Sequence, residues 1–321
     1  MPERSAVGLD LDRCQINMVS LVEQESGLRL VNFSSFRLNP RLSAEARAAQ
    51  LGRMAQEKGF VSLPVNIGVS GESVIVRYID LPRMKDQELQ RALKYEAQQY
   101  IPFKLDEVVF DYHVLEAPFI SKERMKVLLV AARKNAIAEL ISFIGQAGLK
   151  ANLIDVNAFA LINCFQRGGP PVQESDVFAL VNLKINLVNI NILQGQTPFF
   201  TRDISLAEDL GLSSGSQGER PDQFLELFRP HLASLIRELR LSIDYFESEF
   251  EKQVRRVYLS GAGTQLAELV SLFNSELERE TVVWNPLQKI IVDTERIDTS
   301  ELNKISSMLG LACGLALRTG V

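Results

Sequence analysis

The chain has 321 residues, 46% hydrophobic and 23% charged, with a formal net charge of −5. That length exceeds what one hydrophobic core ordinarily serves, so two domains or a domain with an insert are expected. The negative balance and the lack of a Lys/Arg-rich run argue against a nucleic-acid binder. Cys14, Cys164 and Cys313 are widely spaced, which argues against a disulfide frame or zinc site and for reduced thiols in or near the core.

Met1-Pro-Glu-Arg-Ser5 leads straight into a strand, without the apolar core of a signal peptide. The stretch Val7-Gly-Leu-Asp-Leu-Asp-Arg-Cys-Gln-Ile-Asn-Met-Val-Ser-Leu21 runs apolar, turns through polar residues and returns apolar, the pattern of a hairpin. Leu28–Phe36 alternates as a third strand. Ser43 is placed to cap a helix over Ala44–Lys58, which Gly59 closes. Strands are predicted over Val65–Val69 and Ser73–Ile79 around Ser70-Gly71, then a helix over Asp86–Tyr100 stopped by Pro102. Val108–Leu115 and Met125–Ala131 read as strands and Asn135–Ala147 as a helix ended by Gly148. Residues 62–147 thus read as a self-contained strand–strand–helix–strand–strand–helix insert. Asn152–Val156 resumes as a strand, followed by a helix around Ala158–Gln166 and a break at Gly168-Gly-Pro-Pro171.

A second hairpin then opens: Ala179-Leu-Val-Asn-Leu-Lys-Ile-Asn-Leu-Val-Asn-Ile-Asn-Ile-Leu193. Laid over the first, it sets Asn182 against Asp10 and Lys184 against Asp12. A strand over Gln196–Ile204 follows, and Gly211–Gly218 reads as a flexible stretch. Apolar residues from Phe224 to Phe250 recur at helical spacing, with Pro230 near the start. Arg256–Leu259 is a strand ending in Ser260-Gly-Ala-Gly263, which turns into a helix over Thr264–Asn274. Val282–Trp284 is a strand and Thr299–Leu317 one last helix. Its stretch Met308–Leu317 is about half the roughly 20 residues that span a bilayer. Gly310, Ala312 and Gly314 suit it to close packing in a core.

Two halves headed by the same hairpin, the first carrying an insert, resemble the actin-like ATPase superfamily. The layout implies an actin-like (ribonuclease H-like) duplicated α/β fold with two lobes around a cleft. Residues 1–61 and 148–172 would form lobe one, 62–147 a small inserted α/β subdomain, 173–298 lobe two, and 299–321 a C-terminal helix returning to lobe one.

One segment is more specific. Asp80-Leu-Pro-Arg-Met-Lys-Asp-Gln-Glu-Leu-Gln-Arg-Ala-Leu-Lys-Tyr-Glu-Ala-Gln-Gln-Tyr-Ile-Pro-Phe103 runs on into Leu105-Asp-Glu-Val-Val-Phe-Asp-Tyr112. With Ala131-Ala-Arg-Lys134, Ala147-Gly-Leu149, Phe200-Thr-Arg-Asp-Ile204, Tyr258-Leu-Ser-Gly-Ala-Gly263 and Asn285-Pro286, it resembles the type IV pilus assembly protein PilM family over nearly the whole chain. The FtsA cell-division protein, with the same fold and insert, is the nearest alternative. FtsA would bring an amphipathic membrane helix after a linker, whereas Leu317-Arg-Thr-Gly-Val321 directly follows a core-like helix.

The resemblance implies a cytoplasmic protein, peripheral to the inner membrane through its partner. That partner would be the short cytoplasmic N-terminal tail of a PilN-like membrane protein, lying in a groove between lobe one and the insert. Arg91, Tyr95 and Tyr100 are the candidate groove contacts, while Leu89, Leu93 and Ala97 fit a helix packing on its own sheet. Self-association is left open, and no nucleic acid is expected.

The resemblance also implies a nucleotide site with ATP and Mg²⁺ as cofactors, gripped by the two hairpin turns. Glycines there would bring backbone N–H groups to the phosphates, and Asp residues would position the metal. The family pattern is Asp-x-Gly in each turn, with a Lys five residues after the first Gly. Here Asp10 is kept as the candidate metal residue. Asp12 stands at the Gly position and Asn17 at the Lys position, and the second turn carries Asn182 and Lys184. Like charges at about 4 Å repel by roughly 1 kcal/mol in water and by more in a drier site. Asp12 therefore works against a phosphate. Lys184 and Arg13 could meet one by another geometry, and the Gly261-Ala262-Gly263 turn that would seat adenosine is intact. The expectation is a degenerate nucleotide site in a non-enzymatic adaptor, the alternatives being an active ATPase of the same machinery or an FtsA-like filament protein. His113 and His231 pair with no Cys or Ser at a catalytic spacing, and no Walker loop is present.

Overall fold

The computed structural model describes residues 5–116, 123–185, 187–206, 229–266, 268–295 and 297–318. The expected flexible stretch at Gly211–Gly218 and the start of the long helix at Phe224 lie outside the described residues. The first hairpin forms as β1 (Ser5–Leu11) and β2 (Gln15–Gln24), followed by β3 (Gly27–Arg37). Helix α1 (Ala44–Glu57) is capped as expected, the Ser43 side chain accepting from Ala46 N. Strand β4 (Val65–Val69) leads to β5 (Val74–Pro82), α2 (Asp86–Tyr100), β6 (Val108–Leu115), β7 (Arg124–Arg133) and α3 (Lys134–Gln146). Then come β8 (Ala151–Val156) and α4 (Asn157–Gly168).

The second half repeats the pattern with β9 (Val177–Leu183), β10 (Leu187–Gln194), β11 (Thr197–Ser205), α5 (Leu232–Phe250), β12 (Arg256–Ser260), α6 (Leu269–Leu277) and β13 (Glu280–Val283). One sheet has the order β3-β2-β1-β4-β8 and the other β11-β10-β9-β12-β13. In each, the first two pairings are antiparallel and the last two parallel. Even the hairpin closure is duplicated. Asp12 N donates to Gln15 O at 2.9 Å and Lys184 N to Leu187 O at 3.2 Å. This is the duplicated two-lobe α/β fold that the paired hairpins predict.

The duplication also corrects the insert. In lobe two, β12 leads directly to α6 and β13. In lobe one, β4 and β8 flank the same kind of helix, α3, whose Ile144 is in the lobe-one core. Strand β4 and α3 therefore belong with lobe one. What lies between them is the three-stranded sheet β5-β7-β6 with α2 on one face. The reading of 62–147 as one unit fails because a strand–helix pair split by an insertion has the same local pattern as a complete unit.

Two more expectations change. The helix expected from Thr264 begins at Leu269, after a tight turn over Ala262–Gln265. The helix expected over Thr299–Leu317 is two, α7 (Thr299–Ile305) and α8 (Gly310–Ala316), separated by a 3₁₀ turn at Ser306–Met308. A short strand, β14 (Ile291–Val292), pairs with β3 and returns the chain to lobe one. Helix α8 then packs between β1 and α4. A Cβ on Gly314 would meet Ala160 O at 1.8 Å, and one on Gly8 would meet Ala312 O at 1.9 Å. Cys14, Cys164 and Cys313 are buried free thiols, as expected.

Candidate functional site

The two hairpin turns meet where the lobes face each other. Antiparallel register sets Asp10 opposite Asn17 and Asn17 opposite Ser35, so three strands present polar side chains in a row at one end of the sheet. Ser35 Oγ donates to Asn17 Oδ1 at 2.7 Å, and Asn17 Nδ2 donates to Asp10 Oδ2 at 3.1 Å. The other Asp10 oxygen crosses the lobe boundary. Lys184 Nζ donates to Asp10 Oδ1 at 2.8 Å, with side-chain exposures of 10% and 6%. It lies 3.3 Å from Leu11 O as well. In return, Asp12 Oδ2 accepts from Ile185 N at 3.4 Å, and its Oδ1 accepts from Arg13 N at 2.7 Å. The Arg13 residue itself is exposed at the turn.

Burial pushes the Asp12 carboxyl above its ordinary 3.8; Lys184 opposes this rise and Asp10 adds to it. Burial alone would lower the Lys184 ammonium, but the carboxylates of Asp10 and Asp12 outweigh it, and the net direction is upward from 10.5.

The glycine turn is packed against the second hairpin. A Cβ on Gly261 would meet Leu183 O at 2.6 Å and Asn182 Oδ1 at 2.7 Å, and one on Gly263 would meet the Leu183 side chain at 2.8 Å. Ser260, opposite Asn182 in the β12–β9 register, donates from Oγ to Asn182 Oδ1 at 3.2 Å. The break before α8 has its reason here. Ser307 O accepts from Gly261 N at 2.8 Å, and Met308 O accepts from Asn17 Nδ2 at 3.4 Å. Both carbonyls thus face donors outside the helix at the 3₁₀ turn where it is interrupted.

Asp10, Asp12, Asn17, Asn182, Lys184 and Gly261–Gly263 are thus brought together, with Ser35, Ser307 and Met308 as members that sequence reasoning missed. Mg²⁺ asks for oxygen ligands at about 2.0–2.1 Å in octahedral geometry. Both oxygens of Asp10 already accept from the protein's own donors, and both oxygens of Asp12 accept from backbone amides. In this arrangement the turns do not fit a magnesium-bound phosphate. Among the described residues no cluster of metal-ligating side chains is present.

A second set of contacts joins lobe two to lobe one and the root of the insert. Gly71 N donates to Asp203 Oδ2 at 2.6 Å, and Asp203 Oδ1 accepts from Asn189 Nδ2 at 2.7 Å. The Tyr78 hydroxyl lies 3.0 Å from Thr201 Oγ1.

A separate groove of about 1150 Å³ runs between the insert and α4. The even residues of β6 pack against the α2 side of the sheet, so Val109 and His113 turn to the groove. Phe159 and Ile162 of α4 form the facing wall, Thr197 and Pro198 of lobe two an end, and Asp155 with Arg318 a charged corner. There Arg318 Nε lies 2.9 Å from Asp155 Oδ2. Burial raises the Asp155 carboxyl from its ordinary value while Arg318 lowers it. Strand β6 is the edge of its sheet. The candidate contacts Arg91, Tyr95 and Tyr100 do not line this groove. Arg91 and Tyr95 are exposed on α2, Tyr95 at 77%, and Tyr100 packs against the opposite sheet face.

The sequence model of the type IV pilus assembly protein PilM family matches residues 8–209 and 214–320. The solved PilM-PilN type IV pilus biogenesis complex contains a chain 26% identical to this one, covering 99% of both, with a TM-score of 0.81. The ethanolamine utilization protein EutJ from Carboxydothermus hydrogenoformans, 10% identical, covers 99% of this chain and 90% of its own with a TM-score of 0.50, a likeness of fold alone. None of the helices among the described residues is long and apolar enough to cross a membrane.

Proposed function

The chain belongs to the type IV pilus assembly protein PilM family, and from that premise we propose that it is a non-enzymatic adaptor of pilus, or related secretion, assembly at the inner membrane. It resides in the cytoplasm and is held to the membrane by its partner. The occupant of the groove between β6 and α4 is the short cytoplasmic tail of a PilN-like membrane protein. The observation that carries this reading is the groove itself. A trough of mixed apolar and polar lining flanked by an open strand edge accepts an extended segment, whose backbone pairs with the edge while alternate side chains enter the trough. The likeness to a PilM chain solved with PilN supports the choice of partner.

The test uses a fluorescent peptide of that tail and two exposed positions. Val109 is 55% exposed on the groove side of the sheet and Tyr95 77% exposed on α2. Val109→Arg is expected to weaken binding at least about tenfold, the loss of a central apolar contact together with a buried charge. Tyr95→Ala should leave it unchanged. The opposite pattern would return the binding face to α2.

The phosphate turns serve no nucleotide in this reading, because their charges are engaged with one another. Millimolar Mg²⁺-ATP is expected to leave the melting temperature unchanged, since any ligand of the folded state raises it by mass action. A rise abolished by Asp10→Ala would support the ATPase alternative.

A further inference from the structure

We infer that Lys184 is a resident cation, its ammonium standing in for the metal that the two turns would otherwise hold and fastening the lobes in one arrangement without a ligand. This deepens the part of the proposed function in which nucleotide is absent and does not depend on the tail.

The first observation is exchange across the boundary in both directions. Lys184 of lobe two donates to Asp10 of lobe one, and Asp12 of lobe one accepts from Ile185 N of lobe two. A hairpin needs neither contact for its own closure, which the Asp12 and Lys184 backbone amides already provide. The second is charge. Two carboxylates from one turn face one ammonium from the other, and both members of the Lys184–Asp10 pair are nearly sealed from water. A pair so placed is costly to break from one side, because the remaining charge is left buried and unpaired. The third is coordination. An ammonium has three donors. Two of them face oxygens of β1, the Asp10 carboxylate and the Leu11 carbonyl. These are hard oxygen donors of the kind a divalent cation would take, here satisfied by a side chain. The fourth is a separate fastening point. Asp203 binds the Gly71 amide, and Tyr78 meets Thr201. Two points of attachment, one at the turns and one at the insert's root, restrain rotation of one lobe on the other.

The amides of Ile185 and Gly71 report directly on this, because each donates across the lobe boundary, whereas those of Asp12 and Lys184 close their own hairpins. Hydrogen exchange of the full chain, followed residue by residue by NMR, compares wild type with Lys184→Met. The Ile185 amide is expected to exchange on the order of 100-fold faster in the variant. The Gly71 amide should follow in the same direction. Should the single variant fail to fold, Asp10→Asn/Lys184→Met removes both charges and is read at the same amides, with the same expectation. Unaltered exchange at Ile185 in the folded variant overturns the inference alone. Protection of the two turns in wild type by Mg²⁺-ATP overturns it together with the nucleotide-free reading.

Discussion

The two lobes share strand order, pairing sense and hairpin closure, yet the residues at their facing turns are opposite in character. Lobe one presents Asp10 and Asp12, and lobe two presents Asn182 and Lys184. The two halves share a backbone that the sheet dictates, while the turn side chains are free to differ. Here they complement each other across the boundary. A cleft between repeats can be closed by complementary side chains as well as by a ligand, and shared fold says little about which applies.

Breaking that complementarity has the largest expected effect. Lys184→Met leaves the buried Asp10, with Asp12 beside it, without a counter-charge and should cost about 3–5 kcal/mol of stability, most of it recovered in Asp10→Asn/Lys184→Met. Chemical denaturation of the three variants measures both steps. The same contrast appears in pH. Lys184 is raised in the folded state above 10.5, so the folded protein holds this proton more tightly than the unfolded chain does. The stabilisation is complete below pH 10.5 and is lost as pH rises through the folded value. Wild type should therefore show an alkaline loss of stability that Lys184→Met lacks.

The next comparison is between the Ser-Gly turns that follow β4 and β12. Gly71 has φ +74 and Gly261 φ +93, so both backbones favour glycine. Their surroundings differ. A Cβ on Gly71 would meet nothing nearer than 3.9 Å, whereas one on Gly261 would press on Leu183 O at 2.6 Å. With ψ at 176, Gly261 also occupies a region that is nearly glycine-only. Gly71→Ala should cost about 1 kcal/mol from backbone strain. Gly261→Ala should cost roughly 2–4 kcal/mol from strain and overpacking together. Equal costs would mean that the β12 turn yields as readily as its counterpart.

Much of this organisation was legible in the sequence, and what was not has physical causes. The bounds of β4, α2 and β6 follow from local periodicity and the Pro and Gly residues near them. So do the paired hairpins and the unusual charges in their turns. The split of the last helix could not be read, because the apolar pattern runs on while the carbonyls of Ser307 and Met308 are claimed by residues nearly fifty and three hundred positions away. The groove contacts were sought on α2 for a similar reason. Leu89, Leu93 and Ala97 tell which face of the helix is buried. They do not tell which face of the sheet stays open, which depends on where α4 lies. Ser35 was in principle accessible, since pairing β2 with β3 in register sets it directly opposite Asn17.

The smallest expected effect concerns the second fastening point. Tyr78 is held against Thr201 at 3.0 Å, and burial pushes its hydroxyl well above the ordinary 10.0. Thr201 Oγ1 also donates to Asn191 Oδ1 at 2.9 Å. Removing the Tyr78 hydroxyl therefore leaves Thr201 with a partner, and the ring keeps its packing. Tyr78→Phe should cost only about 0.5–1.5 kcal/mol, the net worth of one hydrogen bond. If the insert's root and the two turns act as one device, Tyr78→Phe added to Lys184→Met should cost less than the sum of the two singles, since the lobes are already loosened. If they act separately, the costs should add within about 0.3–0.5 kcal/mol. A double-mutant cycle in urea thus measures whether the lobe-to-insert contact depends on the charges at the turns.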